Sequence, residues 1–195
     1  MEKFLTLKRF QFIIWLIFLI FLWLIVIFIL NNYTPEKIES KIKVTMKIFS
    51  PDFKANYWIP SRFTCDGDNI NPEIDISNIP ANAKTLAITL QDPDALTEKP
   101  WVHWLLWNIP SSSYVKIEQW KIPLSIQQWM NDFEKIWRWW PCPPKWNWKH
   151  RYFFKVYALD VALDLNQNSN FDDLTNAMQN HIITKSELMW TYERN

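Results

Sequence analysis

Glycine is almost missing from this chain: Gly67 is the only one among 195 residues, where average usage would supply about 14. With one glycine there is no phosphate-cradling loop and no dinucleotide-binding turn. A net charge of +1, with no basic run interleaved with aromatics, leaves no footprint for nucleic acid. No serine or cysteine stands in a nucleophile elbow or a recognisable triad. No internal repeat is present, and the histidines and acids show no metal-specific spacing. Cysteine is limited to Cys65 and Cys142. Outside the cytoplasm these could pair in one way only; otherwise they remain two free, partly buried thiols.

What is plentiful is apolar and aromatic. Residues 12–30 are 19 apolar positions without interruption, about 28 Å as a helix against a hydrocarbon core of about 30 Å. A cleaved signal peptide would have a shorter apolar run and a small-residue cleavage site, and neither is present. No cysteine follows the run to carry a lipid, so it reads as a single transmembrane anchor. Lys8 and Arg9 abut its first end, and residues 31–36 contain no basic residue. The positive-inside rule then puts residues 1–11 in the cytoplasm and the bulk of the chain outside. Residues 31–45, polar and carrying Lys37, Lys41 and Lys43, read as a stalk.

Residues 46–195 have the size of one ordinary domain. Val44, Met46 and Ile48 alternate with lysines and threonine as a half-exposed strand would. Residues 74–77 and 86–91 read as strands, with a turn at Pro80-Ala81-Asn82 between them. Residues 150–159, HRYFFKVYAL, put His150, Tyr152, Phe154 and Val156 on one face of a further strand. Asn170 is a plausible N-cap with Asp172 and Asp173 in the first turn. Leu174, Ala177, Met178, His181 and Ile182 then follow at helical spacing, and residues 186–193 return as a strand. Residues 111–148 are rich in Pro and Trp and show no sustained period. The pattern is mainly β: an antiparallel sandwich with peripheral helices.

One stretch, residues 92–110 (DPDALTEKPWVHWLLWNIP), organises the rest. Pro93 makes Asp92-Pro93-Asp94 a rigid strand end. Residues 102–107 are apolar on both alternating faces, as in a strand buried on both sides. There His103 shares a face with Leu105 and Trp107. A buried imidazole needs a partner, and a carboxylate from the preceding turn would serve. It is then either a pocket group or a satisfied core histidine.

Asp92-Pro93-Asp94-Ala95, Val102-His103-Trp104 running to Asn108-Ile109-Pro110, and Pro141-Cys142-Pro143-Pro144 leading to His150-Arg151-Tyr152-Phe153-Phe154 occur in this order. Together with Thr64-Cys65-Asp66-Gly67 upstream and the residues from Glu187 to Arg194, they resemble the phosphatidylethanolamine-binding protein family. The resemblance is to its bacterial and archaeal, Raf kinase inhibitor-like branch, and it covers residues 46–195. It implies a β-sandwich with a small pocket for an anion such as phosphate or a phospholipid headgroup. The pocket residues it implies are Asp92, Asp94, His103, His150 and Tyr152, walled by Pro141, Cys142, Pro143 and Pro144. Two imidazoles and a phenol are suited to this, since they supply donors to an anion. The resemblance implies a non-catalytic binding module with no cofactor, acting as an inhibitor or modulator of a protein such as a kinase or protease. The alternative is a metal-dependent enzyme using His103, His150 and Asp92 or Asp94. Where the family commonly has proline after Asp-Pro-Asp-Ala, this chain has Leu96, which would loosen the pocket's edge.

Along the same resemblance, nine tryptophans stand where relatives carry glycine: Trp58, Trp120, Trp129, Trp137, Trp139, Trp140, Trp146, Trp148 and Trp190. Several fall in turn-like contexts, where glycine serves for positive φ or close backbone approach. The expectation is a gene in which UGA encodes glycine and is written here as tryptophan. TGG rather than TGA codons at Trp139, Trp140 and Trp146 would refute it.

Overall fold

The computed structural model describes residues 2–32, 45–121, 126–128, 132, 141–146, 148–166 and 168–194. Contacts divide the chain into two units, Met1–Val44 and Thr45–Asn195. The first is the helix α1 (Glu2–Asn32). Within it Gln11–Asn32 is long and apolar enough to cross a membrane. The helix therefore includes the whole expected anchor and also most of the segment expected to precede it. Residues 33–44 of the expected stalk lie outside the described residues.

The second unit contains β1 (Lys47–Phe49), β2 (Ile74–Ser77), β3 (Thr85–Asp92), β4 (Trp101–Pro110), β5 (Tyr114–Ile117), β6 (Gln127–Gln128), β7 (His150–Leu159), α2 (Phe171–Met178) and β8 (Ile182–Tyr192). A three-stranded sheet has the order β1-β2-β5, and a five-stranded one the order β6-β4-β3-β7-β8. Every ladder is antiparallel, so the expected mainly β architecture of two antiparallel sheets is what forms. β5 and β6 fall inside the stretch that shows no period. Four and two residues long, they are too short to leave an alternation that can be counted.

Period-two patterning sorts the side chains into two cores. Ile74 and Ile76 of β2 meet Leu86, Ile88 and Leu90 of β3, Phe154 and Val156 of β7, and Leu188 of β8 in a core shared by the two sheets. On the other face of the larger sheet, Ala87, Leu105 and Trp107 pack with Leu174 and Met178 of α2. Each large side chain buried this way contributes about 1.5–3 kcal/mol.

The start of α2 follows from its capping box. Asn170 accepts from the Asp173 amide at 3.0 Å, and Asp173 accepts from the Asn170 amide at 2.8 Å. Its end differs from the periodic expectation, which runs on through His181 and Ile182. The helix stops at Met178, Asn180 adopts φ 65°, and Ile182 already belongs to β8. Asn accepts the left-handed region at low cost, and a turn placed there lets β8 pair with β7.

Candidate functional site

Antiparallel pairing brings the end of β3 beside the starts of β4 and β7: Asp92 pairs with Trp101, and Gln91 with Phe153. Segments far apart in sequence thus converge at one end of the larger sheet, around a cavity of about 280 Å³. Asp92, His103, His150 and Tyr152 line it, as do Cys142, Pro143 and Pro144.

A slip in strand register aims His103. Leu90 pairs with Trp104, but Gln91 pairs with Val102, so β4 carries one extra residue at this point. Such a bulge turns a side chain off the regular alternation. Leu105 and Trp107 therefore face α2, whereas His103 faces the cavity, its ring 5.4 Å from that of Tyr152 in an edge-on contact. Strict alternation, which puts His103 on the face of Leu105 and Trp107, is corrected here, because it assumes an unbroken register.

Asp92 holds His150. Its Oδ2 lies 2.7 Å from His150 Nδ1, and its Oδ1 accepts the Asp94 amide at 2.9 Å. Both side chains of the pair are almost wholly buried. His150 Nε2 is buried without a hydrogen-bond partner, and the Tyr152 hydroxyl makes no bond of ordinary geometry, though the Asp92 carboxylate lies near enough to act on it. Burial, and then the Asp92 charge, push the Tyr152 hydroxyl well above the usual phenol range, so it stays protonated as a donor. Trp148 stacks on His150 with ring centroids 6.0 Å apart.

The wall of residues 141–144 is tied to two neighbours. Cys142 is disulfide-bonded to Cys65, and the Cys65 amide donates to the Pro141 carbonyl at 3.2 Å. Arg194 donates to the Pro143 carbonyl at 3.3 Å, and its own carbonyl accepts the Trp146 amide at 3.0 Å. Arg194 also grips Asp66 through Nε and Nη2, each at 2.8 Å, while the Tyr192 hydroxyl donates to Asp66 at 2.7 Å. These bonds hold the Asp66 carboxyl below its ordinary range, Arg194 contributing most.

Asp94 and Pro141 stand outside the lining. The backbone amide, Nε and Nη2 of Arg151 donate to Asp94 at 2.9, 2.8 and 2.7 Å, and this keeps its carboxyl below the usual range. With Asp94 taken by Arg151 and both oxygens of Asp92 engaged, the carboxylates are committed to positioning. Among the described residues, no group of three or more His, Cys, Asp or Glu is arranged to hold a metal ion. Ala95, Thr97 and Trp101 also line the cavity and carried no signal as pocket residues; Leu96 lines it too, at the edge where its departure from proline drew notice.

The suspect tryptophans divide by conformation. Trp120 and Trp146 both have φ 62°, in the left-handed region that side chains with a β-carbon adopt only at a cost. Trp146 is 84% exposed and gains little from packing. Trp58 and Trp148 are exposed, whereas Trp190 is fully buried between Phe53 and Phe154. Trp129, Trp137, Trp139 and Trp140 lie outside the described residues. Gly67 itself is needed sterically: a β-carbon there would sit 2.4 Å from the Ser61 carbonyl oxygen.

Comparison with known proteins gives consistent matches. Residues 49–193 match the family model described as phosphatidylethanolamine-binding protein. A UPF0098 protein of Pyrococcus horikoshii is 39% identical over 157 residues, 78% of each chain. One from Methanothermobacter thermautotrophicus is 40% identical over 140 residues, 70% of this chain and 91% of that one. Among solved structures, a PEBP homolog from Chlamydia trachomatis superposes with a TM-score of 0.72 at 34% identity, covering 78% of this chain and all of the other. E. coli YbcL, described as a new member of the mammalian PEBP family, gives 0.70 at 28% identity, covering 77% and 99%.

Proposed function

This chain belongs to the phosphatidylethanolamine-binding protein family, and from that premise we propose that its cavity is a non-catalytic binding site for an anion, a phosphate or a phospholipid headgroup. The observation that carries the reading is the floor of the cavity. The side chains of His150 and Tyr152 line it beside His103, and His150 Nε2 and the Tyr152 hydroxyl are buried with no hydrogen-bond partner of ordinary geometry. Buried polar groups left without a partner are costly unless something else completes them. A phosphate oxygen would do so through charge-assisted bonds, within walls of Pro143, Pro144 and the disulfide. Asp92 acts by orienting the His150 ring, and Asp94 is engaged by Arg151 outside the lining.

Two features support a location outside the cytoplasm, with α1 as the anchor. Gln11–Asn32 has the length and apolarity to span a bilayer, and a disulfide persists in oxidising compartments. Protease added to intact cells should then remove the domain of residues 45–194.

The direct test of the pocket is His103→Ala. Titration with inorganic phosphate and with phosphoethanolamine should show at least a tenfold loss of affinity, about 1.5–3 kcal/mol for a charge-assisted bond. The unfolding midpoint should stay near that of the parent chain. Unchanged affinity would remove His103 from the site.

A further inference from the structure

The proton count of the Asp92–His150 pair decides whether this cavity can accept an anion. With one proton between them the pair carries a net charge of −1. Asp92 Oδ1 takes the Asp94 amide and Oδ2 takes the Nδ1–H of His150. That leaves Nε2, on a ring that lines the cavity, as a lone pair, buried and unpartnered. A lone pair cannot donate to a phosphate oxygen, and a buried negative charge repels one. A second proton changes both conditions: Nε2 gains an N–H, and the pair becomes neutral. Drawing the shared hydrogen on Asp92 does not avoid this, because Nε2 then still needs a hydrogen of its own.

We infer that the pocket takes up its anion together with one proton, held by the Asp92–His150 pair; this rests on the anion-binding reading above. The other ionisable groups around the pair are differently placed. His103 faces the cavity from β4, and Tyr152 is a protonated donor on β7. Tyr192, opposite His150 on β8, is bound to Asp66. Arg151 is committed to Asp94 and Arg194 to Asp66. Lys149 is exposed, and the Cys142 thiol is consumed in the disulfide. His103 is therefore the competing home for the proton, and the experiment has to separate the two.

The probe is dimethyl phosphate, a permanent monoanion that cannot itself exchange a proton near neutrality. It is titrated calorimetrically into the full chain in a non-ionic, phosphate-free detergent, between pH 5 and 8, in buffers of different ionisation enthalpy. On the alkaline side uptake should approach one proton per bound anion, and affinity should fall about tenfold per pH unit. Asp92→Asn provides the discriminating variant. Its amide oxygen still accepts the Asp94 N–H, and its NH₂ donates to Nδ1, which puts the hydrogen of a neutral imidazole on Nε2. Binding by this variant should need no proton and should be flat with pH. Uptake that persists in Asp92→Asn assigns the proton to His103 and overturns the inference. Binding by the parent chain with no proton exchanged and no pH dependence also overturns it, whatever the variant does. Absence of binding at every pH rejects the anion pocket itself, and the inference with it.

Discussion

Two histidine–aspartate pairs of nearly equal length sit in opposite surroundings. His150–Asp92 spans 2.7 Å with side chains 3% and 4% exposed, and His181–Asp160 spans 2.8 Å with side chains 44% and 52% exposed. The first lines a cavity between strand ends. The second closes a turn, where the Asp160 amide also donates to the His181 carbonyl at 3.1 Å. At the surface, water screens the attraction and either partner can be solvated alone. In the interior neither partner can be left without the other, so the pair fixes one ring orientation and one direction for Nε2. Contact distance is the same in both; surroundings separate a positioning device from a surface ion pair.

The largest expected effect comes from cutting the covalent tie beside the buried pair. Cys65 and Cys142 are 77 residues apart, and opening a loop of that length costs about 4.5 kcal/mol of chain entropy. A Cys65→Ser, Cys142→Ser chain should unfold at correspondingly lower guanidinium concentration. Hydrogen exchange should quicken around residues 141–152 and stay unchanged around 160–181. Equal quickening at both ends would break the comparison.

Next is Asp92→Ala, which strands a buried imidazole and should cost about 3 kcal/mol, read by denaturant unfolding. Trp146→Gly, just beyond the wall of residues 141–144, should raise stability by roughly 1 kcal/mol, because it relieves a β-carbon held at left-handed φ; a clear loss would show that the indole belongs there. Acid should act more weakly. Asp66 and Asp94 have folded-state values lowered by Arg194 and Arg151. Their contribution is therefore present above the ordinary aspartate range near pH 4 and lost as pH falls through the lowered values, at less than about 1 kcal/mol each for pairs this exposed. An Arg151→Ala chain should lose less stability than the parent on acidification, measured by thermal unfolding at pH 6 and pH 3. The smallest effect should be Asp160→Ala, within about 0.5 kcal/mol; a cost like that of Asp92→Ala would erase the contrast between the pairs.

Much of the scaffold was legible from local pattern. β7 shows in its alternation, because burial on one face of a pleated strand repeats every second residue. The start of α2 shows in Asn170 and Asp173, because a capping box is made by residues three apart. Asp92, His103, His150 and Tyr152 were nameable through motif order. The bulge that aims His103 was not, since register is a relation between strands and leaves no mark on β4 alone. Asp94 gave no sign that Arg151 would claim it. Ala95, Thr97 and Trp101 carry no chemistry that marks a pocket, and they line one only because the end of β3 lies beside the start of β4.

By itself, the sequence determined a helix able to span a bilayer, a mainly antiparallel β domain, and the histidines, carboxylate and phenol available to a site. These are set by composition and by short-range periodicity, which act within a few residues. Tertiary structure alone decided that Asp92 reaches His150 across 58 positions, that His103 turns toward Tyr152, and that the His150 ring lines the cavity. Those outcomes depend on strand register and on which strand ends meet, and only the packed sheets fix both.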